Sequence, residues 1–259
     1  MDRYRIALGV GLFVLLSACG GGGGYHSAMT TPIANASPGG IWNGTDSSTG
    51  LTVQGLVTET GRFEFIRSDG AQFIGTVNVS NFSLSGTVTG FTPIGTTFAD
   101  GSTSGTGTLT GSVAARTSMA VIIAFTTSKG TTTTIGLPLL FDPLYNVTSS
   151  LATIAGNYTE SGTGTAVSVS ASGAVFAQEM TTGCVVNGTV SIIDATYNSY
   201  DVSYTYANCT GAYTVLNGVT ATGLATLDTA LSPAQAIIGI SGQVPGVGTV
   251  GLVETLTKN

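Results

Sequence analysis

The residues able to do chemistry are few: three cysteines, one histidine and 13 acids in a chain of 259 residues. Cys184 and Cys209 are placed so that a hairpin folding about Ala195 to Asn198 brings them opposite each other on two strands, which predicts a disulfide in an oxidising compartment. A structural zinc is the competing chemistry for paired cysteines, and it fails for want of ligands. The one histidine, His26, precedes the folded part. Neither a Ser-His-Asp triad nor a Cys-His pair can then be assembled inside the fold. Carboxylates remain. A pair of them suffices for glycoside hydrolysis, and Glu179, Asp194 and Asp201 are candidates, set against the plainer reading that scattered acids are solvated turn and rim residues. Glycine-rich stretches such as Gly101 to Gly107 lack both the Lys-Ser/Thr of a phosphate loop and a helix to follow it. Asn43 and Asn187 open Asn-x-Ser/Thr triplets, which a Thr-rich chain produces by chance. The expectation is a non-enzymatic protein with no catalytic residue, no cofactor and no metal.

Composition says what must position these groups. Only 8% of the residues are charged and the net charge is -6, so no basic surface exists to neutralise phosphates and nucleic acid is excluded as a partner. A hydrophobic fraction of 42% with so little charge also excludes disorder for the bulk of the chain. With 38 glycines and abundant Thr, Ser and Val, but few Lys, Glu, Gln or Arg, the chain reads as all-β with many turns.

Most of that β structure is written twice. Gly40-Ile41-Trp42-Asn43 is matched by Gly156-Asn157-Tyr158-Thr159, and Gly75-Thr76-Val77 recurs as Gly188-Thr189-Val190. Ala120-Val121-Ile122-Ile123 is echoed by Gln235-Ala236-Ile237-Ile238, and Thr134-Ile135-Gly136-Leu137 by Thr249-Val250-Gly251-Leu252. Four matches in one order at nearly one spacing indicate duplication, with a period far too long for a solenoid. Within each copy the apolar residues alternate in short runs divided by Gly, Ser, Asn or Asp, as in Met119/Val121/Ile123/Phe125. In the second copy this places strands near 156–161, 164–170, 173–179, 184–193, 200–209, 217–227, 234–241 and 247–256. The expected architecture is two tandem, related, antiparallel eight-stranded meanders, barrel-like because eight strands close into a small barrel without free edges. The first domain covers 38–145 and the second 146–259, joined near Leu144 to Thr153.

The N-terminus is of another kind. Met1 to Arg5 is basic, Ile6 to Leu16 is apolar, and small residues follow up to Cys19, the pattern of a secretory signal over 1–18. A helix of that apolar length reaches less than about 20 Å, short of a hydrocarbon core of roughly 30 Å. Leu16-Ser17-Ala18-Cys19 resembles the lipobox of bacterial lipoproteins, which implies cleavage before Cys19, fatty acylation of its thiol (palmitate and related chains) and attachment to the membrane through those chains. Residues 19–37 then form a tether with an unbroken run from Gly20 to Gly24. The absence of Asp after the cysteine implies, by the sorting rule of enteric lipoproteins, the outer membrane. Acyl-Cys followed by poly-Gly is also similar to surface lipoproteins such as the transferrin-binding and factor H-binding proteins. Loss of Asp2, Arg3 and Arg5 with the signal leaves the mature chain one charge more negative, so contact with lipid is expected through the anchor alone.

Two further resemblances concern the domains. Gly40-Ile41-Trp42 is similar to the Gly-x-Trp of lipocalins, which implies a tryptophan plugging a barrel bottom; the second copy has Tyr158 there, and neither copy shows the supporting late Arg. The alternative is that Trp42 and Tyr158 are simply core aromatics. Gly183-Cys184, Gly188-Thr189-Val190, Tyr200-Asp201-Val202, Cys209 and Gly223 to Leu227 resemble a pattern in uncharacterised bacterial lipoproteins, which carries no activity with it. Three functions follow: a lipid-anchored envelope protein that binds an unknown protein or glycan partner or serves a structural role, a lipocalin-like carrier of a small apolar ligand, and a carboxylate-dependent glycan hydrolase.

Overall fold

The computed structural model describes residues 34–259. The signal segment, Cys19, the glycine run and His26 lie outside the described residues. Two closed eight-stranded antiparallel barrels follow one another along the chain. The first runs from β1 (Gly40–Thr45) to β8 (Thr132–Asp142), which pairs back with β1. The second runs from β9 (Gly156–Glu160) to β16 (Gly248–Lys258), and β16 again closes on β9. The strands arise from the alternation: in β7 (Ser118–Thr127) Met119, Val121, Ile123 and Phe125 are buried while the residues between them face outward or lie exposed. Tight turns separate several of the successive strands. Gly61 adopts φ 85°, and a Cβ there would meet the Val77 carbonyl oxygen at 2.1 Å, so only glycine fits.

The two barrels are structural repeats. Trp42 pairs with Phe141 where Tyr158 pairs with Lys258, which makes Phe141 and Lys258 equivalent. Counting along β8 and β16 from there sets Leu137 equivalent to Glu254, and the next ladder sets Val121 equivalent to Ile238. The matches at Trp42/Tyr158 and Gly75/Gly188 are thus structural. Those of the last hairpin are not: the similar tetrapeptides there lie two residues out of register, because the last hairpin of the second barrel is displaced while keeping the same face inward. Trp42 donates its indole N–H to the Pro38 carbonyl at 3.1 Å, and Tyr158 donates its hydroxyl to the Ile154 carbonyl at 2.5 Å, each four residues back. Both are fully buried at one end of a barrel, against the segment that leads into its first strand.

The connection is a short 3-10 turn, Pro143–Asn146, and a single helical turn, α1 (Leu151–Ile154), capped by the Ser150 hydroxyl. Tyr145 from this connection joins Ile41 and Leu56 of the first barrel and Leu224 of the second in one buried cluster. Its ring stacks on Tyr197 at 4.8 Å, and the Arg116 guanidinium lies 4.7 Å from each ring centroid. Asn198 fixes the adjoining loop, donating to the Leu227 carbonyl at 2.8 Å and accepting the Leu227 N–H at 3.0 Å. Outer walls of the two barrels meet where the Leu224 N–H donates to buried Glu64 at 3.2 Å and Arg62 forms an ion pair with Asp201. The repeats are therefore two separate barrels in contact, not one shared sheet.

Candidate functional site

The interiors of the two barrels differ. In the first, Phe63, Phe65, Phe73 and Phe125 fill the space above Trp42, with Phe73 and Phe125 edge to face at 5.6 Å. Phe98, from the loop after β5 (Ser83–Phe91), closes that end against Phe125 at 5.4 Å. In the second, a cavity of about 240 Å³ opens at the corresponding end, between the turn at Thr163 and the 3-10 turn Gly211–Leu216. Its size is somewhat below the roughly 300–1,000 Å³ of drug-sized sites, so it suits a small molecule.

Residue substitution between the repeats explains the space. Gly75 pairs with Phe63 and Val88, and its equivalent Gly188 pairs with Val175 and Tyr204. It follows that Phe63, Phe65 and Phe73 have become Val175, Ala177 and Val186, all three of which line the cavity. Phe125 has become Gly242 by the same counting through the last hairpin. The lost volume is returned only in part, by Tyr204 in place of Val88 and Tyr206 in place of Gly90. In the first barrel no side chain fits at Gly90, where a Cβ would lie 2.7 Å from the Phe125 ring and 2.9 Å from that of Phe73.

The polar groups of the cavity also replace apolar or small ones. Glu254 stands for Leu137 and Glu160 for Gly44, both on the inward face. Burial pushes the Glu254 carboxyl up to about 7, and the nearby Glu160 charge adds to the effect. Tyr204 and Tyr206 are raised well above the ordinary phenol range, first by burial and then by the charge of Glu254. The Tyr206 hydroxyl is buried without a hydrogen-bond partner. At the rim, Glu179 accepts the N–H groups of Thr181 at 2.8 Å and Thr182 at 2.6 Å. Hydrogen bonding to Thr182, foremost, holds its carboxyl at about 2, so it is an anion at any physiological pH.

The disulfide Cys184–Cys209 is present, and Cys184 lines the cavity. It ties the loop after β13 (Tyr200–Ala207), which carries Tyr213 and Leu216 over the opening, to the start of β12 (Val185–Ile192). The carboxylates singled out from the sequence are not brought together. Asp201 faces outward and pairs with Arg62, Asp194 caps Thr196 in the loop at the opposite end, and Glu179 alone reaches the cavity. Asn43 donates to Asp142 at 2.9 Å, and Asn187 is exposed on β12. Glu160 and Glu254 were missed. Their signal was parity: Glu254 falls in the inward series Val250, Leu252, Glu254, Leu256, where an acid is out of place unless it faces a cavity. Among the described residues no cluster of His, Cys, Asp and Glu is arranged to hold a metal ion. The sequence matches no protein-family model and no curated protein.

Proposed function

We propose that this chain is an exported, lipid-anchored, non-enzymatic binding protein of the cell envelope, held to the outer membrane through acyl chains on Cys19, whose second barrel carries a small molecule. The observation that carries this reading is the pair of interiors: one barrel packed solid with phenylalanines, its repeat opened by their replacement with Val175, Ala177 and Val186. A packed core is the more stable use of eight strands, since each unfilled volume forfeits contacts. A duplicate that keeps the fold and gives up the packing suits a ligand. The first barrel, on this reading, is the structural half.

Native mass spectrometry of protein freshly purified from membranes tests it. The expected result is a bound small molecule retained by the wild type and absent from Ala177→Phe, which restores the phenylalanine of the first barrel. A wild type without any adduct, together with a melting temperature unchanged in Ala177→Phe, would overturn it, because the variant should then have had a real void to fill. Turnover of any member of a broad glycan panel would overturn the non-enzymatic part.

A further inference from the structure

The cavity's charge is as unbalanced as its packing. The second barrel carries six acids (Glu160, Glu179, Asp194, Asp201, Asp228 and Glu254) and one cation, Lys258. Lys258 is committed at the other end, donating to the Thr153 carbonyl at 2.8 Å with its ammonium 5.8 Å from the Tyr158 ring. Among the cavity-lining residues there is no Lys, Arg or His, while Glu160, Glu179 and Glu254 all contribute. None of the ion pairs among the described residues involves these three.

The first barrel shows how the same end is balanced when the chain supplies its own cation. Arg67 lies there with its guanidinium carbon 5.9 Å from the Phe73 ring centroid, paired with Asp46 at 3.0 Å and Asp69 at 2.8 Å. Carried through the β2–β3 and β10–β11 ladders, where β2 is Thr52–Val57, β3 Arg62–Arg67, β10 Ala166–Val169 and β11 Ala174–Gln178, its equivalent position is Glu179. A cation over an aromatic ring has been exchanged for an anion at the cavity rim, and Tyr206, only 5% exposed, holds an unpartnered hydroxyl among the cavity-lining residues.

We infer that the ligand of the second barrel is a small organic cation with an apolar body, its ammonium group set among Glu254, Glu160 and the Tyr204 and Tyr206 rings and its apolar part against Val175, Ala177 and Val186. This deepens the carrier reading and rests on it. Aromatic faces and carboxylates together favour an ammonium over its neutral isostere, and carboxylates with no cation beside them among the cavity-lining residues repel an anion.

The test is isothermal titration of the wild type at pH 8 with three probes of one shape: benzyltrimethylammonium, neopentylbenzene and benzylsulfonate. The expected order is binding of the ammonium at one site, at least about tenfold tighter than the neutral isostere, and no binding of the sulfonate. Glu254→Gln should weaken the ammonium about tenfold and leave the neutral probe unchanged, with circular dichroism confirming the fold. Glu254→Leu, the residue of the first barrel, provides a second variant that cannot fail for want of a hydrogen-bond partner. The permanently charged probe should also bind more weakly at pH 5.5 than at pH 8 in the wild type, where Glu254, facing Glu160, Tyr204 and Tyr206, becomes neutral, and the difference should shrink in Glu254→Gln. Equal binding of ammonium and neutral probes, both lost in Ala177→Phe, would overturn the cation inference and leave the carrier reading standing. No binding of any probe, with no adduct in native mass spectrometry, would overturn both.

Discussion

At the scale of single residues, the chain tolerates polar groups in places where their cost is high. Glu64 is buried between the barrels, and its Oε1 has no hydrogen-bond partner. Burial raises its carboxyl from 4.5 to about 8, partly offset by the Leu224 N–H and the Arg62 charge. The folded protein therefore holds this proton more tightly than the unfolded chain does. Its contribution to stability is complete below about 4.5 and is lost progressively as pH rises to about 8. Glu254 acts with the same sign up to about 7. Thermal melts should show the wild type losing at least about 3 °C between pH 5 and pH 8.5, with Glu64→Gln removing the larger part of that slope. An unchanged slope in Glu64→Gln would show that the proton is not held at this contact. Glu179, with its carboxyl at about 2, titrates only in acid and plays no part in that window.

Among the elements, the β12–β13 hairpin controls the cavity. Its ladder pairs Val185 with Ala207, so the next facing pair would be Cys184 with Asn208. Asn208 instead adopts φ 58°, a left-handed conformation that asparagine tolerates, and the chain steps so that Cys209 meets Cys184. The bond closes a loop with a sequence separation of 25 residues, worth about 3–4 kcal/mol in the chain-entropy model. Cys184→Ser with Cys209→Ser should lower the free energy of unfolding by about that amount in urea titrations. On the proposed carrier reading, the same variant should weaken retention of a bound molecule, because the loop bearing Tyr213 and Leu216 loses its tie to the cavity wall. Stability unaffected by the double substitution, or by a reductant, would remove the disulfide from any structural role.

For the whole molecule, the two repeats differ in their interiors, one barrel packed and one opened, with Tyr145 and Leu224 joining them. On the proposed reading the pair is delivered to the membrane by Cys19. One acyl chain binds a bilayer only reversibly, whereas two or three, at about 0.8 kcal/mol per CH₂, hold it stably. Cys19→Ala should abolish labelling with a palmitate analogue and move the protein from the membrane pellet to the soluble fraction after lysis. Continued sedimentation with membranes would mean that another surface of the protein binds lipid.

Much of this was legible in the residue order. Alternation of period two marked eight strands in each copy, and the second-copy strands start and end within three residues of the expected limits, because a strand's in-or-out pattern is a local property of the backbone. The cysteine pair was legible for a related reason, since a hairpin pairs residues close in sequence. What lay beyond the sequence was each inward residue's partner across the barrel. Val175, Ala177 and Val186 are unremarkable as a list and become a cavity only because closure sets them around one space. Glu64 alternates as an outward, solvent-facing acid should, and only the packing of a second barrel against that wall buries it. Local periodicity decided which way each side chain points, and tertiary closure decided what it meets there.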